Sequence, residues 1–329
     1  MLSMRNYLNL FLIAVLLPLA SPARAAQPIP VIFDTDIGDD IDDALALALA
    51  LQSPELDVRA VTTVTDDTEG RSRLAWKELG LYGRHDVAVG TGAPEPFLDP
   101  VHTGRAPQFS VLTDADTLPP AARRRAFELI IDTLLQSPQK ITLVPVGPLT
   151  NIALALKGEP RIKEKIERIV LMGGAFDKLI SEYNIQRDRV AAEIVFNSGV
   201  PVTAVGLDVT LQCRLAAPDL ARLRAAGNPA SRFLVRLIEL WQEGHADQYP
   251  ILHDPLAVAV AMHPNLVETQ RGGVHVETAS PLTFGMTMFT PAEHLPPNAQ
   301  ANILVSRRVD APRFIEMFLS RLSAAPRGK

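Results

Sequence analysis

From residue 31 onward, short β-branched apolar runs alternate with longer stretches of helical periodicity. Val31–Thr35, Val58–Val64, Ile141–Val146, Ile169–Met172 and Val202–Leu207 are short, apolar and bounded by Gly, Pro or Asp, the pattern of strands. Ile41–Leu51, Ser72–Tyr82, Ala121–Leu135, Asn151–Leu156 and Arg189–Phe196 carry the helical spacing between them. This alternation predicts an α/β fold, an open and mainly parallel sheet with helices on both faces. Further on, Asn228-Pro229 offers an N-cap followed by Pro at the first helical position, opening a helix to about Gly244. His253–Met262 reads as another helix, with Asp254-Pro255 at its start. The Pro/Gly-rich stretch Gly90–Pro107 reads as a loop on the active-site side. Neither a repeat nor a low-complexity linker divides the chain, which predicts one domain.

Composition narrows the function classes. The 329 residues are 47% hydrophobic and 21% charged, which excludes disordered, collagen-like and coiled-coil classes. Acidic residues outnumber basic ones by 37 to 32, so a basic nucleic-acid-binding face has no support. A chain this long buries a core without disulfides, and its one cysteine, Cys213, cannot form an internal one. In an oxidising compartment Cys213 is expected to be buried and inert.

The first residues form a separate category. No Asp or Glu precedes Asp34, and Arg5 stands before an apolar run from Leu8 to Leu17, broken by Pro18 and followed by Ala23-Arg24-Ala25. Basic, then apolar, then small-x-small is the order of a secretory signal peptide. Residues 1–25 are therefore expected to be removed, leaving residues 26–329 as a secreted or periplasmic domain with no membrane attachment. The apolar run is about half the ~20 residues that a spanning helix needs.

Six carboxylates fall within the ten residues Asp34-Thr35-Asp36-Ile37-Gly38-Asp39-Asp40-Ile41-Asp42-Asp43, between the first strand and Ala44–Leu51, a helix of Ala and Leu alone. A helix with no polar face is buried, which places its acidic first turn at the edge of the core. Macrodipole compensation rewards one or two acids with ~0.3–1 kcal/mol each and does not account for six. Packed carboxylates repel and take up protons unless a cation neutralises them. Aspartate oxygens suit Ca²⁺ or Mg²⁺, and ligands bind at the carboxyl ends of strands in open parallel sheets. The spacing is not that of an EF-hand loop.

Three more segments carry polar groups at element ends. Asp254, in His253-Asp254-Pro255, is taken alone an N-cap with Pro after it, and His253 a hydrogen-bonded helix-start histidine. Val144-Pro145-Val146-Gly147-Pro148-Leu149-Thr150-Asn151 either turns main-chain carbonyls toward a cleft or makes a tight turn capped by Thr150 or Asn151. Met172-Gly173-Gly174 precedes Ser181-Glu182-Tyr183-Asn184, where Glu and Asn can hold sugar hydroxyls.

Taken in order and spacing, these segments resemble the inosine-uridine-type nucleoside hydrolases from about Ile29 to the C-terminus. The acidic motif through Leu47 is similar to the family's N-terminal aspartate motif, with two extra residues before the final Asp-Asp. Val61-Thr62-Thr63-Val64, Leu143–Asn151, Val170–Gly174, Glu182-Tyr183-Asn184-Ile185, Gly206-Leu207-Asp208-Val209-Thr210 and His253-Asp254-Pro255 match further blocks.

The resemblance implies one Ca²⁺ and hydrolysis of the N-glycosidic bond of ribonucleosides to ribose and base. It implies that Asp36, Asp43 and Asp254 ligate the metal through carboxylates and Val146 through its main-chain oxygen. Glu182 and Asn184 would grip ribose hydroxyls, and His253 would sit near the leaving base. Asp42 would deprotonate the attacking water, with Asp40 a rival because of the two-residue insertion. His102 would correspond to a base-contacting histidine, and the family suggests a homodimer or homotetramer. The chemistry agrees: an oxocarbenium-like transition state needs clustered anions, an oriented water, an acceptor for its proton and a donor at the base.

Two departures from the family pattern bear on the sugar. Its Gly-Asn pair after Thr-Thr-Val is replaced by Asp66-Asp67, and an aspartate accepts from hydroxyls but cannot donate as an amide does. Asp67 is carried over as a ribose contact. The loop from Gly174 to Glu182 is short and lacks Asn. These departures keep open the reading of an exported nucleoside-binding protein with impaired catalysis, and the strand ending in Asp34-Thr35-Asp36 keeps open that of a metal-dependent phosphohydrolase.

Overall fold

The computed structural model describes residues 27–98, 106–120 and 123–327. The expected leader, residues 1–25, and His102 lie outside them. Among the described residues ten strands form one sheet: β1 (Ile29–Thr35), β2 (Leu56–Thr63), β3 (Ala88–Thr91), β4 (Arg124–Arg125), β5 (Ile141–Pro145), β6 (Ile166–Met172), β7 (Val202–Val205), β8 (Val267–Val276), β9 (Thr287–Pro291) and β10 (Ile303–Val309). The helices are α1 (Asp42–Gln52), α2 (Thr68–Leu81), α3 (Ala126–Gln136), α4 (Thr150–Gly158), α5 (Tyr183–Arg187), α6 (Arg189–Phe196), α7 (Leu207–Thr210), α8 (Ala217–Ala226), α9 (Pro229–Gly244), α10 (His253–Met262) and α11 (Ala311–Ser323).

The strand order is β4-β3-β2-β1-β5-β6-β7-β10-β8-β9. β1 pairs in parallel with β2 on one side and β5 on the other, so successive strands run outward in opposite directions from the β1–β5 junction. That junction is a topological switch point, where connections leave to opposite faces and open a crevice at the strands' carboxyl ends. The acidic segment follows β1 and Val146 follows β5, so both enter the crevice. The Val146 amide donates to the Asp34 carbonyl at 2.8 Å and draws the two strand ends together.

Helices cover both faces, as the alternating pattern predicts. One apolar core gathers α1, α2, α9, α10 and α11; the other gathers α3, α4 and α6. Helix α1 is buried along its whole length, as its Ala-Leu composition requires. Each buried leucine there contributes about 1.5–3 kcal/mol relative to exposure, which anchors the acidic first turn on a rigid element. Asn228 caps α9 by accepting from the Ser231 amide at 2.9 Å. Cys213 is fully buried, and burial pushes its thiol up to about 12.

Several boundaries differ from expectation. The helix expected over Ala121–Leu135 begins at Ala126, because Arg124 and Arg125 pair with Gly90 and Thr91 as a short parallel edge strand. Leu207 opens α7 rather than closing β7, its amide donating to the Gly174 carbonyl. The sequence pattern does not predict β3, β8, β9 or β10, of which β8 pairs antiparallel with both β9 and β10. Among the described residues no helix is long and apolar enough to cross a membrane.

Candidate active site

A cleft of about 510 Å³ opens at the switch point. Asp36, Asp39, Asp40, Asp42 and Asp43 reach it from the β1–α1 segment, Val146 from the end of β5 and Asp254 from α10. The α1–α10 contact decides the geometry. Asp42, Asp43 and Asp254 each present a carboxylate oxygen within 4.8 Å of the others, all three residues being buried. The Asp254 amide donates to Asp42 Oδ2 at 3.2 Å, and Thr35 Oγ1 donates to Asp43 Oδ1 at 2.5 Å.

Asp254 is not the N-cap that its sequence context suggests. Leu252 occupies that position, and Asp254 is the second helical residue, its carboxylate directed at α1 instead of its own helix. Thr150 and Asn151 also do not cap α4. Thr150 donates to Asp188, and Asn151 donates to Asp34 Oδ1 and the Thr63 carbonyl, bracing β1 against β2.

Burial pushes the carboxyl groups of Asp42, Asp43 and Asp254 well above the usual range, and repulsion among them and from Asp36 and Asp40 adds to it. Asp36 is raised to about 6, chiefly by burial, with Arg71 pulling it down. Three buried carboxylates at this separation form a hard-oxygen donor set, and a divalent cation removes the conflict between their charges. The residues present fit such an ion.

The tight trio differs from the expected ligand set in one member, since Asp42 stands with Asp43 and Asp254 while Asp36 lines the same cleft outside the trio. Asp36 packs against Gly147, where a Cβ would come within 2.7 Å of its Oδ1. Asp40 lies exposed at the cleft, one oxygen accepting from the Ile41 amide at 2.7 Å.

The facing wall comes from the segment after β6. Glu182 is buried, and its carboxylate accepts from the amides of Asn184, Gly174 and Ile185 at 2.8 to 3.1 Å. Asn184 Nδ2 donates to the Val146 carbonyl at 2.7 Å, so the two walls meet at that oxygen. His253 lines the cleft, with Nδ1 2.7 Å from Thr210 Oγ1. Burial lowers His253 to about 4, which keeps its imidazole neutral near pH 7.

Asp67, expected at the ribose, is instead the N-cap of α2, accepting from the Gly70 amide at 2.8 Å, and is not among the residues lining the cleft. Asp34 is wholly buried and tied to Thr62 and Asn151. In the short loop after Gly174, the Phe176 and Asp177 amides donate to Asp208. Pro107, at the end of the predicted Gly90–Pro107 loop, does line the cleft.

Sequence reasoning missed the aromatic part of the wall. Tyr183 lines the cleft, as do Trp241 and His245, whose rings stack with centroids 4.5 Å apart. The i,i+4 spacing of Trp241 and His245 near the end of α9 was the available signal. It also missed Arg71, buried on α2. The stripe Arg71, Leu74, Ala75, Glu78, Leu79 marks a buried face on which an arginine needs partners.

Comparison with known proteins agrees with this fold. Residues 31–316 match the family model described as inosine-uridine preferring nucleoside hydrolase. The chain is 38% identical over 314 residues to the pyrimidine-specific ribonucleoside hydrolase RihA of Citrobacter koseri, covering 90% of this chain and 98% of that one. It is similar to the solved purine-preferring ribonucleoside hydrolase from Gardnerella vaginalis, with TM-score 0.79, 34% identity and coverage of 89% and 98%. A plant nucleoside hydrolase superposes with TM-score 0.79 at 28% identity, covering 90% of this chain and 99% of that one.

Proposed function

The chain belongs to the inosine-uridine preferring nucleoside hydrolase family, and from that premise we propose that it cleaves the N-glycosidic bond of ribonucleosides to ribose and free base, with Ca²⁺ as its resident cation. The observation that carries the reading is the convergence of Asp42, Asp43 and Asp254 in one buried group at the switch-point cleft.

Asp36, Asp43, Asp254 and the Val146 carbonyl oxygen would hold the ion. When bound, Ca²⁺ supplies Lewis acidity to a water and to vicinal ribose hydroxyls. Asp42, held at Oδ2 by the Asp254 amide, accepts the proton of the attacking water, with Asp40 as the alternative acceptor. The clustered carboxylates favour positive charge developing on the sugar. Glu182 and Asn184 take the ribose hydroxyls, their side chains already oriented by main-chain partners. If Thr210 Oγ1 donates to His253 Nδ1, the neutral ring carries its proton on Nε2 and offers it to the departing base. Tyr183, Trp241 and His245 offer π faces to the nucleobase.

Neither alternative gains support. A phosphohydrolase needs a nucleophilic aspartate in the cleft, and Asp34 is buried outside it. The binding-protein reading rests on Asp67 and the short loop after Gly174, and against it stands the chain's membership of a family of hydrolases.

The test incubates the full chain with inosine, uridine, adenosine and cytidine and follows base release by ultraviolet absorbance. Release that chelator stops and Ca²⁺ restores is expected. No base or reducing sugar from any of the four would overturn the reading. We further propose that residues 1–25 are a leader removed on export to the periplasm or medium, which N-terminal sequencing that found Met1 retained would refute. A homodimer or homotetramer is proposed for the mature chain, to be measured by light scattering.

A further inference from the structure

The main chain of the acidic segment is held in a way its side chains do not reveal. The carbonyl oxygens of residues 36 to 40, five in succession, each accept from one of two residues. Arg71 Nη1 donates to the carbonyls of Asp36 and Ile37. The Gln108 amide donates to the Gly38 carbonyl at 3.3 Å, and Gln108 Nε2 to those of Asp39 and Asp40 at 3.3 and 2.6 Å. Both side chains are buried. Arg71 also reaches the Asp39 carboxylate and the Thr65 carbonyl, each at 2.7 Å. Phe109, next to Gln108, closes on Gly38, where φ is +134° and a Cβ would meet its ring at 2.6 Å.

Main-chain carbonyls are hard ligands that Ca²⁺ accepts as readily as carboxylates. Five unpartnered carbonyls in a glycine-containing loop would let the loop change shape around an ion. With all five tied to Arg71 and Gln108 the path of the main chain is fixed, and with it the position of the Asp36 and Asp40 carboxylates that line the cleft. Among the described residues Gln108 Oε1 is buried without a partner.

We infer that Arg71 and Gln108 are positioning residues of the cation site, holding the main chain from residue 36 to residue 40 so that its carboxylates keep their place at the ion. The inference rests on the proposed cation-dependent reading. It also predicts the sign of one effect. Arg71 is a cation beside Asp36, Asp39 and Asp43, so if it acted by charge alone its removal would tighten binding of a second cation. Positioning predicts the opposite.

The test is calorimetric titration of the metal-free full chain with Ca²⁺, for wild type, Arg71→Met, Arg71→Lys and Gln108→Leu, with thermal unfolding in chelator measured alongside. Expected is at least tenfold weaker binding for Arg71→Met and Gln108→Leu, and weakening also for Arg71→Lys, which keeps the charge but loses the guanidinium fork. A purely structural role would lower the chelator melting temperature and leave the Ca²⁺ affinity of the folded protein unchanged. Tighter binding in Arg71→Met, or affinity within twofold of wild type in Gln108→Leu, overturns the inference; if Arg71→Met does not fold, Gln108→Leu decides alone. Absence of Ca²⁺ binding by wild type would overturn the cation reading itself and this inference with it.

Discussion

Thr210 Oγ1 lies 2.7 Å from His253 Nδ1, joining α7 to the first residue of α10 across the cleft floor. The bond fixes one ring nitrogen and so determines which one is left for substrate. Thr210→Val is expected to lower kcat about tenfold by freeing the ring and its tautomer, and His253→Ala about 10²-fold or more. Both should leave Ca²⁺ affinity within twofold. Steady-state kinetics beside calorimetry check this, and a Thr210→Val enzyme with unchanged kcat removes the positioning role.

Asp42 and Asp43 are neighbours in sequence with different expected losses. Asp43→Asn and Asp254→Asn should weaken Ca²⁺ binding about tenfold or more, since each removes a charge from the buried set. Asp42→Asn should cut turnover about 10²-fold with a smaller change in affinity. If Asp40→Asn shows that pattern and Asp42→Asn does not, the proton acceptor is Asp40. Equal loss of cation from both would leave neither as the base.

Asn184 spans the two cleft walls through Val146. Asn184→Ala leaves that carbonyl without its protein donor, worth about 1–3 kcal/mol at a buried site. KM for a ribonucleoside is expected to rise about tenfold while kcat changes less. A change in kcat alone would place Asn184 with the chemistry and not with sugar binding.

Glu78 supplies a pH dependence away from the cleft. It is wholly buried on α2, and burial pushes it well above its usual 4.5. The folded state therefore prefers the proton more than the unfolded chain does. The stability from this group is complete below pH 4.5 and drains as pH rises through the higher folded value. Glu78→Gln stays neutral and should melt higher than wild type by a margin that widens from pH 5 to pH 9. Each kcal/mol corresponds to roughly 2–4 °C in a chain of this size. Calorimetric scans in saturating Ca²⁺ keep the aspartate cluster from contributing, and a margin independent of pH would contradict the assignment.

What the sequence alone determined was local. The alternation of short apolar runs with helical stretches predicts the parallel sheet, and six acids before an Ala-Leu helix predict a buried acidic turn at a strand end. Both are legible because hydrophobic periodicity and burial act within one element. Tertiary structure decided whatever joins distant residues. Asp254 reads as a cap until α10 packs on α1 and carries it 212 residues back to Asp42. Asp67 matched a sugar contact by position, yet the start of α2 turns its carboxylate onto the Gly70 amide. Gln108 carries no mark in its surroundings, and only the folded chain sets it under the carbonyls of Asp39 and Asp40. A periodic pattern states which face is buried. Which partner meets that face depends on how whole elements pack, and the acidic motif becomes a site only when its charges, carbonyls and remote aspartate are brought together.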